Sequence, residues 1–443
     1  MASLRHLLVL LLSFGLLFDG SSSDCCRLCV LDKLWAFARQ TPTQQQQQQQ
    51  QQRFCLDSQL SLSSSAFGTA LYRRLAYGNH DNIIVSPLSV YTALTMIIPA
   101  AAGDTERELD TALVMLPQQD LQCEVERFLN SLTAPASSSM VVVRWGNGLF
   151  YNRLLQSRIS QRFIQSINRY NGAQVDSFEW PEPERKINAW VNQLTEGEIP
   201  QLLQPGSIPQ ETILFLLNAV YFEASWETQF VVQSPISFTT VLGKVVTTPS
   251  MASRGLLPVL FLEELDVSLV ELSYRGGRYS LYLLVPSTFD GLHRLEARLD
   301  SQVLDGILWR ARGYRPVAVV RLPKFKLRTR KSLNEDLKTM GLTSMFDARK
   351  ADFSRLVSDV DEGLSQELGK LTPFVNQVLH EAIIEVSENG TKAAAATSIG
   401  FVDRSLDTSE DQFRVDRPFV FIIRDKASGL NLFTGRVTDP TLE

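Results

Sequence analysis

The longest uninterrupted part of the chain runs from Asp57 to Glu443, and it constrains the fold more than any other feature. Its serine clusters, 63–65 and 137–139, are too short to separate domains, and no internal repeat divides it. Cys123 is its only cysteine, so no disulfide can form within it. Because 44% of the chain is hydrophobic, an apolar core is the remaining source of stability. We therefore predict one large domain over residues 57–443.

The first 23 residues have the composition of a cleaved secretory signal peptide. Arg5 and His6 precede a 12-residue apolar run, Leu7–Phe18, and small residues suited to cleavage follow it. This run is shorter than the about 20 apolar residues that a membrane-spanning helix needs. Residues 1–23 therefore predict a secreted, extracellular protein with no membrane partner.

Residues 24–56 form an extension of a different composition. Nine consecutive glutamines occupy 44–52, and such a tract cannot bury apolar surface, so we expect no folded structure there. Disulfides or dimerisation are favoured over a metal site, because no second pair of Cys or His completes a zinc set. The odd number of thiols leaves their pairing open; they are Cys25, Cys26, Cys29, Cys55 and Cys123.

The apolar periodicity of the large domain predicts both helices and strands. Helical spacing covers residues 60–75, 89–98 and 183–195. Strand-like runs cover residues 141–145, 213–222, 281–285, 317–322 and 419–423. Helices are concentrated early and strands late, which predicts an α+β fold with helices packed on large, mostly antiparallel β-sheets.

No catalytic constellation stands out in the sequence. It contains no G-x-S-x-G elbow, H-E-x-x-H helix, phosphate-binding loop or G-x-G-x-x-G turn. His80, His293 and His380 are the only histidines after the signal peptide, and His380 is best explained as a hydrogen-bonded structural residue. The net charge of -5 argues against nucleic acid as a partner. We predict that the protein is not an enzyme and that it needs no cofactor or metal.

The segment from Glu388 to Ser405 is unusual for a folded domain. Four alanines stand between threonines, so as a helix it would lack an amphipathic stripe. As a strand, its side chains would alternate between two faces, and Lys392 would be the only charge from Thr391 to Val402. One face would be free of charge, so such a strand could insert between two existing strands. The alternative is an exposed connector.

Several motifs occur in a fixed order along the chain. The segment Glu388-x-Gly390-Thr391-x-Ala393-Ala394-Ala395-Ala396-Thr397 resembles the hinge of an inhibitory member of the serpin family. The other motifs that resemble this family are Asn82-x-x-x-Ser86-Pro87-Leu88-Ser89, Asn147-x-Leu149-Phe150, Ile187-Asn188-x-Trp190-Val191, Asn218-Ala219-Val220-Tyr221-Phe222, Leu322-Pro323-Lys324-Phe325, Ala351-Asp352-Phe353-Ser354, Asp416-x-Pro418-Phe419 and Phe433-x-Gly435-Arg436-Val437. The ordered set covers residues 57–440.

The resemblance implies a serpin fold with an exposed reactive-centre loop at about 388–412. It also implies a suicide mechanism, in which a serine protease forms an acyl-enzyme on the loop. The cleaved loop then inserts into the large central sheet and traps the protease in a covalent complex. The implied hinge residues are Glu388, Gly390, Thr391, Ala393, Ala394, Ala395, Ala396 and Thr397.

The family places the attacked bond sixteen steps after the glutamate that begins the hinge. Counting from Glu388 gives the bond Arg404–Ser405, and arginine fits the aspartate-lined pocket of trypsin-like proteases. The residues implied to contact the protease before this bond are Phe401, Val402 and Asp403. The resemblance therefore predicts a trypsin-like, arginine-specific protease as the partner.

Some features depart from the family or leave an alternative open. Glu223 and Ala224 follow Phe222, where the family often has lysine and glycine. Residues 118–139 carry Arg127 as their only basic side chain, which argues against heparin activation through this region. The alternative function is a non-inhibitory serpin that acts as a carrier, storage protein or chaperone. It is disfavoured because no bulky, charged or proline residue blocks the inward positions of the hinge.

Two further expectations concern modification and physiology. Asn389 begins the only glycosylation sequon, and strand alternation would place it on the same face as Thr391. We therefore expect Asn389 to carry no glycan in the active inhibitor. By analogy with insect haemolymph serpins, the polyglutamine leader indicates control of an extracellular cascade such as innate immune signalling.

Overall fold

The computed structural model describes residues 59–113, 124–126, 128, 141–167, 173–310, 315–317, 319–357, 373–391 and 412–442. In chain order, the α-helices are α1 (Gln59–Ala76), α2 (Pro87–Ile97), α3 (Gly103–Ala112), α4 (Gln161–Ile167), α5 (Pro183–Leu194), α6 (Leu292–Arg298), α7 (Ser301–Arg310) and α8 (Asn334–Thr339). Short 3-10 helices cover Ile98–Ala100, Arg153–Leu155 and Ser344–Phe346. No helix in this part of the chain is long and apolar enough to cross a membrane.

The sheet that contains the start of the predicted hinge has six strands, and we call it the central sheet. Its strands, in spatial order, are β12 (Phe325–Ser332), β13 (Val375–Ser387), β14 (Gly390–Thr391), β4 (Leu214–Ser225), β2 (Val141–Asn152) and β3 (Ala173–Phe178). Strands β13 and β4 also pair directly with each other. The inner strands of this sheet are therefore joined along part of their length and separated by β14 at one end.

Two further sheets, of seven and four strands, complete the described fold. The seven-stranded sheet has the order β1 (Ile83–Val85), β17 (Asn431–Val437), β16 (Phe419–Asp425), β9 (Tyr279–Pro286), β8 (Val267–Ser273), β7 (Leu257–Leu262) and β10 (Arg315–Val317). The four-stranded sheet has the order β15 (Gln412–Arg414), β11 (Val319–Pro323), β6 (Val245–Ser253) and β5 (Phe230–Thr239). Parallel pairing joins β2 to β3, β13 to β4 and β11 to β15, and the other pairs are antiparallel. The predicted α+β class with mostly antiparallel sheets is confirmed.

Helix α2 lies at the centre of the main core. It begins at Pro87, two residues before the predicted start at Ser89, because proline fixes the backbone angle that a first helical turn needs. Every residue of α2 is buried, and the helix contacts β2 and β4 of the central sheet as well as β17 of the seven-stranded sheet. The inner face of the central sheet is therefore packed against a fully buried helix, whose Ser89 and Thr92 hydrogen-bond to Asn218 and Asn147 of the sheet.

Helix α5 covers the opposite, outer face of the central sheet. Ile187 and Val191 are fully buried on the stripe that the sequence predicts. They belong to a second apolar cluster that includes Leu217 of β4 and Leu379 of β13. Helix α5 contacts β2 and β3, so it covers part of the outer face of the central sheet.

Candidate functional site

The two inner strands of the central sheet diverge towards one end. Strands β13 and β4 pair in parallel as far as Ile383, which lies opposite Tyr221. Both strands continue beyond this pair, β13 to Ser387 and β4 to Ser225, without pairing directly with each other. A gap one strand wide therefore opens at this end of the sheet.

The segment predicted to be a hinge already fills the mouth of this gap. Glu388 and Asn389 form a two-residue turn, and β14 then runs back antiparallel to β13. Gly390 and Thr391 pair on their other side with Ser225 and Ala224 of β4, also antiparallel. The first two residues of the hinge strand are therefore paired on both sides in the uncleaved chain.

Gly390 is required by the geometry of this mouth. Its φ angle of 139° lies in a region that residues with a side chain rarely adopt. A Cβ atom at this position would overlap the carbonyl oxygen of Ala224. Glycine is therefore the residue that lets the chain turn from β13 into the gap beside β4.

Thr391 is completely buried at the end of β14. Its hydroxyl lies 2.6 Å from the hydroxyl of Tyr274, whose pKa is raised by burial. The Tyr274 ring stacks on Trp226 with 4.6 Å between the ring centroids. The indole of Trp226 in turn donates a hydrogen bond to the carbonyl of Ser387, at 2.7 Å. The stacked rings of Tyr274 and Trp226 therefore hold both ends of the hinge turn, at Thr391 and at Ser387.

An ion pair holds the turn before β14. The Nζ atom of Lys324 lies 2.6 Å from Oε2 of Glu388, and both side chains are about three-quarters buried. Burial acts to raise the pKa of Glu388, but the hydrogen bond and charge of Lys324 prevail and lower it. The Glu388 carboxylate is therefore ionised at neutral pH and joins the end of β13 to the start of β12.

A buried polar network crosses the sheet beneath the gap. The backbone N–H of Ser86 donates to Nε2 of His380 at 3.1 Å, and Nδ1 of His380 donates to Oδ1 of Asn218 at 2.9 Å. The amide of Asn218 donates onward to Asn147 on β2. Burial lowers the pKa of His380 from 6.5 to about 3, so the ring is neutral. The structural role predicted for His380 is confirmed.

This network predicts an acid-sensitive native state. The pKa of His380 is depressed on folding, so its contribution to stability is complete above pH about 6.5 and is lost as the pH falls towards 3. The expected loss between pH 7 and pH 5 is about 2 kcal/mol. The check is the thermal midpoint across this range for the wild type and for His380→Gln, which should depend less on pH. His293→Gln is the control at a half-exposed histidine, and parallel curves for wild type and His380→Gln would contradict the assignment.

Other predicted positions need correction or lie elsewhere. Gly390 and Thr391 are buried on β14 and Gln412 lies on β15, so these three residues of the loop predicted for 388–412 belong to sheets instead. Asn389 lies half-buried in the turn and not on a strand, so the argument from strand alternation is wrong for it. The absence of a glycan at Asn389 remains a prediction.

The rest of the predicted site lies outside the described residues. This group comprises Ala393, Ala394, Ala395, Ala396, Thr397, Phe401, Val402, Asp403, Arg404 and Ser405. All five cysteines and residues 1–56 also lie outside them. The described chain resumes at β15, which pairs with β11 in the four-stranded sheet.

Sequence reasoning missed three residues that hold the hinge. Lys324 lies within one of the motifs that resemble the family and Trp226 follows another, but the sequence analysis assigns neither of them a role. Tyr274 carries no sequence signal, because its contact with Thr391 joins positions 117 residues apart. Among the described residues, no group of three or more His, Cys, Asp or Glu side chains could hold a metal ion.

Comparison with known proteins agrees with this geometry. The family model described as serpin (serine protease inhibitor) matches residues 62–440. The leukocyte elastase inhibitor of Equus caballus is 30% identical over 397 residues, which cover 86% of this chain and all of that protein. Serine protease inhibitor 42Dd of Drosophila melanogaster is 30% identical over 373 residues, 82% of this chain and 92% of that protein.

A solved structure gives the same result for the fold. Serpin48 from the insect Tenebrio molitor superposes with a TM-score of 0.71 at 25% identity, covering 86% of this chain and 98% of that one. The chain belongs to the serpin family, which is described as serine protease inhibitors and not as enzymes. Serpins form covalent complexes with serine proteases, which gives the general class of partner.

Proposed function

We propose that this serpin is a secreted suicide inhibitor of trypsin-like serine proteases, and that Arg404–Ser405 is the bond they attack. The observation that carries the proposal is the hinge. Gly390 and Thr391 already occupy the mouth of a gap one strand wide between β13 and β4. A loop cut at a distant bond could therefore continue into the sheet from a strand that is already paired.

The chemistry follows from the covalent step of a serine protease. The catalytic serine oxygen attacks the carbonyl carbon of Arg404, and an ester replaces the peptide bond. The amine of Ser405 takes up a proton and leaves as a new N-terminus. The residues after Thr391 then add to β14 and carry the ester-linked protease with them, before water can hydrolyse the ester.

Strand addition supplies the driving force for trapping. Each new backbone hydrogen bond contributes about 0.5–1.5 kcal/mol net, so about ten of them would contribute on the order of 10 kcal/mol. The register of β14 would bring Thr397 between His380 and Asn218, where the buried polar network offers partners. The native fold is accordingly metastable and is protected by a kinetic barrier.

The class of protease follows from the residue before the cleaved bond. Arginine places a guanidinium in the specificity pocket, and the aspartate of a trypsin-like pocket pairs with it. The relatives named leukocyte elastase inhibitors raise elastase as a second candidate. Arg404 disfavours elastase, since a small apolar pocket cannot accept the arginine side chain.

Secretion and physiology belong to the same proposal. The signal-like residues 1–23 support export, and the extracellular space would bring the inhibitor together with a protease cascade such as one of innate immunity. Activation by heparin through 118–139 is not part of the proposal, because Arg127 is the only basic residue there.

The test is direct mixing of the full mature chain with trypsin, chymotrypsin and elastase. We expect trypsin to form a complex that survives denaturing electrophoresis, with release of a C-terminal peptide that begins at Ser405. Elastase and chymotrypsin should form little or none. Cleavage by every protease without a complex would contradict inhibition and support a carrier, storage or chaperone role instead.

A further inference from the structure

The turn between β13 and β14 contains an asparagine followed by a glycine. Glu388 and Asn389 form this turn, and Gly390 begins β14. An asparagine before a glycine is chemically labile, because glycine has no Cβ to keep its backbone nitrogen away from the asparagine side chain. Gly390 and Thr391 belong to the hinge strand, whereas Asn389 has no part in its pairing.

The same dipeptide occurs elsewhere in the chain, and one other copy lies in the described structure. The copies are Asn147–Gly148, Asn171–Gly172 and Asn389–Gly390, of which the second lies outside the described residues. Asn147 lies within β2 and is only 2% exposed. Its amide nitrogen donates to Thr92 at 3.0 Å, and its Oδ1 accepts from Asn218 at 2.6 Å. The Asn147 side chain is therefore fixed by bonds to two other elements and is shielded from water.

Asn389 has neither form of protection. It is half-buried in a turn, and its side chain forms no hydrogen bond with another described residue. Asn389 also lines a cavity of about 650 Å³, whose other lining residues include the exposed Lys326, Thr441 and Leu442. Water can therefore reach the Asn389 amide, and a small molecule such as ammonia can leave it.

The main chain is irregular at the nitrogen that would react. Two-residue hairpin turns usually have a positive φ at one or both of their residues. Among the described residues that carry a side chain, only Glu196 and Asp266 have a positive φ, so the turn residue Asn389 does not. Gly390 adopts the unusual φ of 139° instead. Its nitrogen therefore lies in a distorted part of the main chain, directly after the labile side chain.

We propose that Asn389 is a site of spontaneous deamidation and that its isoaspartyl product disables the hinge. The nitrogen of Gly390 attacks Cγ of Asn389. The bond between Cγ and the amide nitrogen breaks, and ammonia leaves with the proton of the Gly390 N–H. Water then opens the cyclic imide at one of its two carbonyls. Opening at Cγ gives aspartate, whereas opening at the backbone carbonyl gives isoaspartate, in which the main chain runs through Cγ.

Isoaspartate would disrupt the mouth of the gap. The main chain becomes longer by one methylene group, about 1.5 Å. Gly390 has no space for such a shift, because even a Cβ atom there would overlap the carbonyl oxygen of Ala224. Thr391 would lose its register with β13 and β4, and with it the contact with Tyr274. We expect the isoaspartyl hinge to fail in strand addition; this consequence rests on the proposed function, whereas the modification itself does not.

Ageing the full mature chain at neutral pH tests the modification. Peptide mapping should show aspartate and isoaspartate accumulating at position 389, while Asn147 stays unchanged in the same sample. Asn147 is therefore the matched control within one molecule, and the buried network needs no substitution. If Asn389 stays as intact as Asn147, or if it carries a glycan that blocks its amide, the proposal is overturned.

Two variants separate the change in the main chain from the added charge. Asn389→Gln must close a larger ring, so it should trap trypsin as fresh wild type does and keep this activity on ageing. Asn389→Asp carries the charge on a main chain of ordinary length and should also trap. Aged wild type should lose trapping in proportion to its isoaspartate content. Equal trapping by the aged and fresh wild type, despite isoaspartate at 389, would overturn the effect on the hinge.

A second readout keeps this site distinct from the proposed function. The thermal midpoint of the uncleaved protein should fall as isoaspartate accumulates, because β14 is displaced. If fresh wild type forms no complex with trypsin, but isoaspartate forms at 389 and the midpoint falls, the proposed function alone is overturned. If fresh wild type traps trypsin and Asn389 does not react, the modification site alone is overturned.

Discussion

Substituting arginine for Thr391 is expected to convert the protein from an inhibitor into a substrate that trypsin cuts and releases. Thr391 is fully buried, and its hydroxyl contacts that of Tyr274 at 2.6 Å. No described carboxylate forms part of this contact, so a guanidinium there would be an unpaired buried charge. Such burial costs several kcal/mol, which is enough to slow strand addition until hydrolysis of the ester prevails.

The experiment compares complex with cleaved inhibitor after mixing with trypsin. Thr391→Arg should give almost entirely cleaved inhibitor and free trypsin. Thr391→Ser is the matched control, because it keeps the hydroxyl for Tyr274 and should trap nearly as well as the wild type. Equal trapping by Thr391→Arg and wild type would show that the described position of Thr391 has no part in inhibition.

The uncleaved state of Thr391→Arg is also informative. Because Gly390 and Thr391 are paired before any cleavage, the substitution acts on the starting structure as well as on the inserted one. We expect the arginine to displace β14 from the mouth of the gap. The first two residues of the hinge strand are thus part of the folded sheet in the wild type. The sequence pattern, which predicted an exposed loop from 388, did not indicate this.

Helices were the most accurately predicted elements, and the reasons are local. Helix α5 covers Pro183–Leu194, against a predicted 183–195, because its apolar stripe has helical spacing and proline marks its start. Strand β2 was predicted only as far as Trp145 but reaches Asn152. Two glycines interrupt the strand pattern there.

Tight packing of side chains from helix α5 and from Phe150 of β2 itself explains those two glycines. A Cβ atom at Gly146 would lie 2.9 Å from the Trp190 ring of α5, and one at Gly148 would lie 3.2 Å from the same ring. The nearest side chain is Leu194 of α5 at Gly146 and Phe150 of β2 at Gly148, each 2.5 Å from the added Cβ, so glycine is selected by side-chain packing and not by a turn. A contact of this kind depends on the tertiary structure, so the sequence pattern of β2 alone could not reveal it.

The hinge shows the same division between local and distant information. Alternation along the sequence predicted that Thr391 faces inward, and its burial agrees with that direction. Thr391 is already buried in the uncleaved chain because β13 separates from β4 and because Tyr274, stacked on Trp226, lies beneath it. These segments lie far apart in the sequence, so no local pattern indicates that they meet.

Replacing Arg404 with alanine is expected to abolish the complex with trypsin. Arg404 is the one basic residue between Lys392 and Arg414. It also lies sixteen residues after Glu388, the spacing at which serpins place the attacked bond. A pocket built to pair with a guanidinium rejects a side chain that cannot reach its buried aspartate by roughly three orders of magnitude or more. The rate of trypsin inhibition should fall by about this factor.

Two further variants make the Arg404 result specific. Arg404→Val offers a small apolar side chain to the protease and should move trapping from trypsin to elastase, for which several relatives are named. Arg414→Ala is the control, because Arg414 is the next basic residue and is exposed on β15. It should inhibit trypsin as the wild type does.

The sequence of the released peptide decides between neighbouring bonds. Cleavage at Arg404–Ser405 yields a C-terminal peptide that begins at Ser405, whereas a bait at Phe401 or Leu406 would shift its first residue. If Arg404→Ala still traps trypsin, or if the released peptide begins at another residue, then the attacked bond is not Arg404–Ser405. The hinge and its gap would then remain, because Gly390 and Thr391 pair with β13 and β4 whichever bond the protease selects. We therefore expect specificity and trapping to be separable properties of this chain, the first set by the side chain of Arg404 and the second by the central sheet.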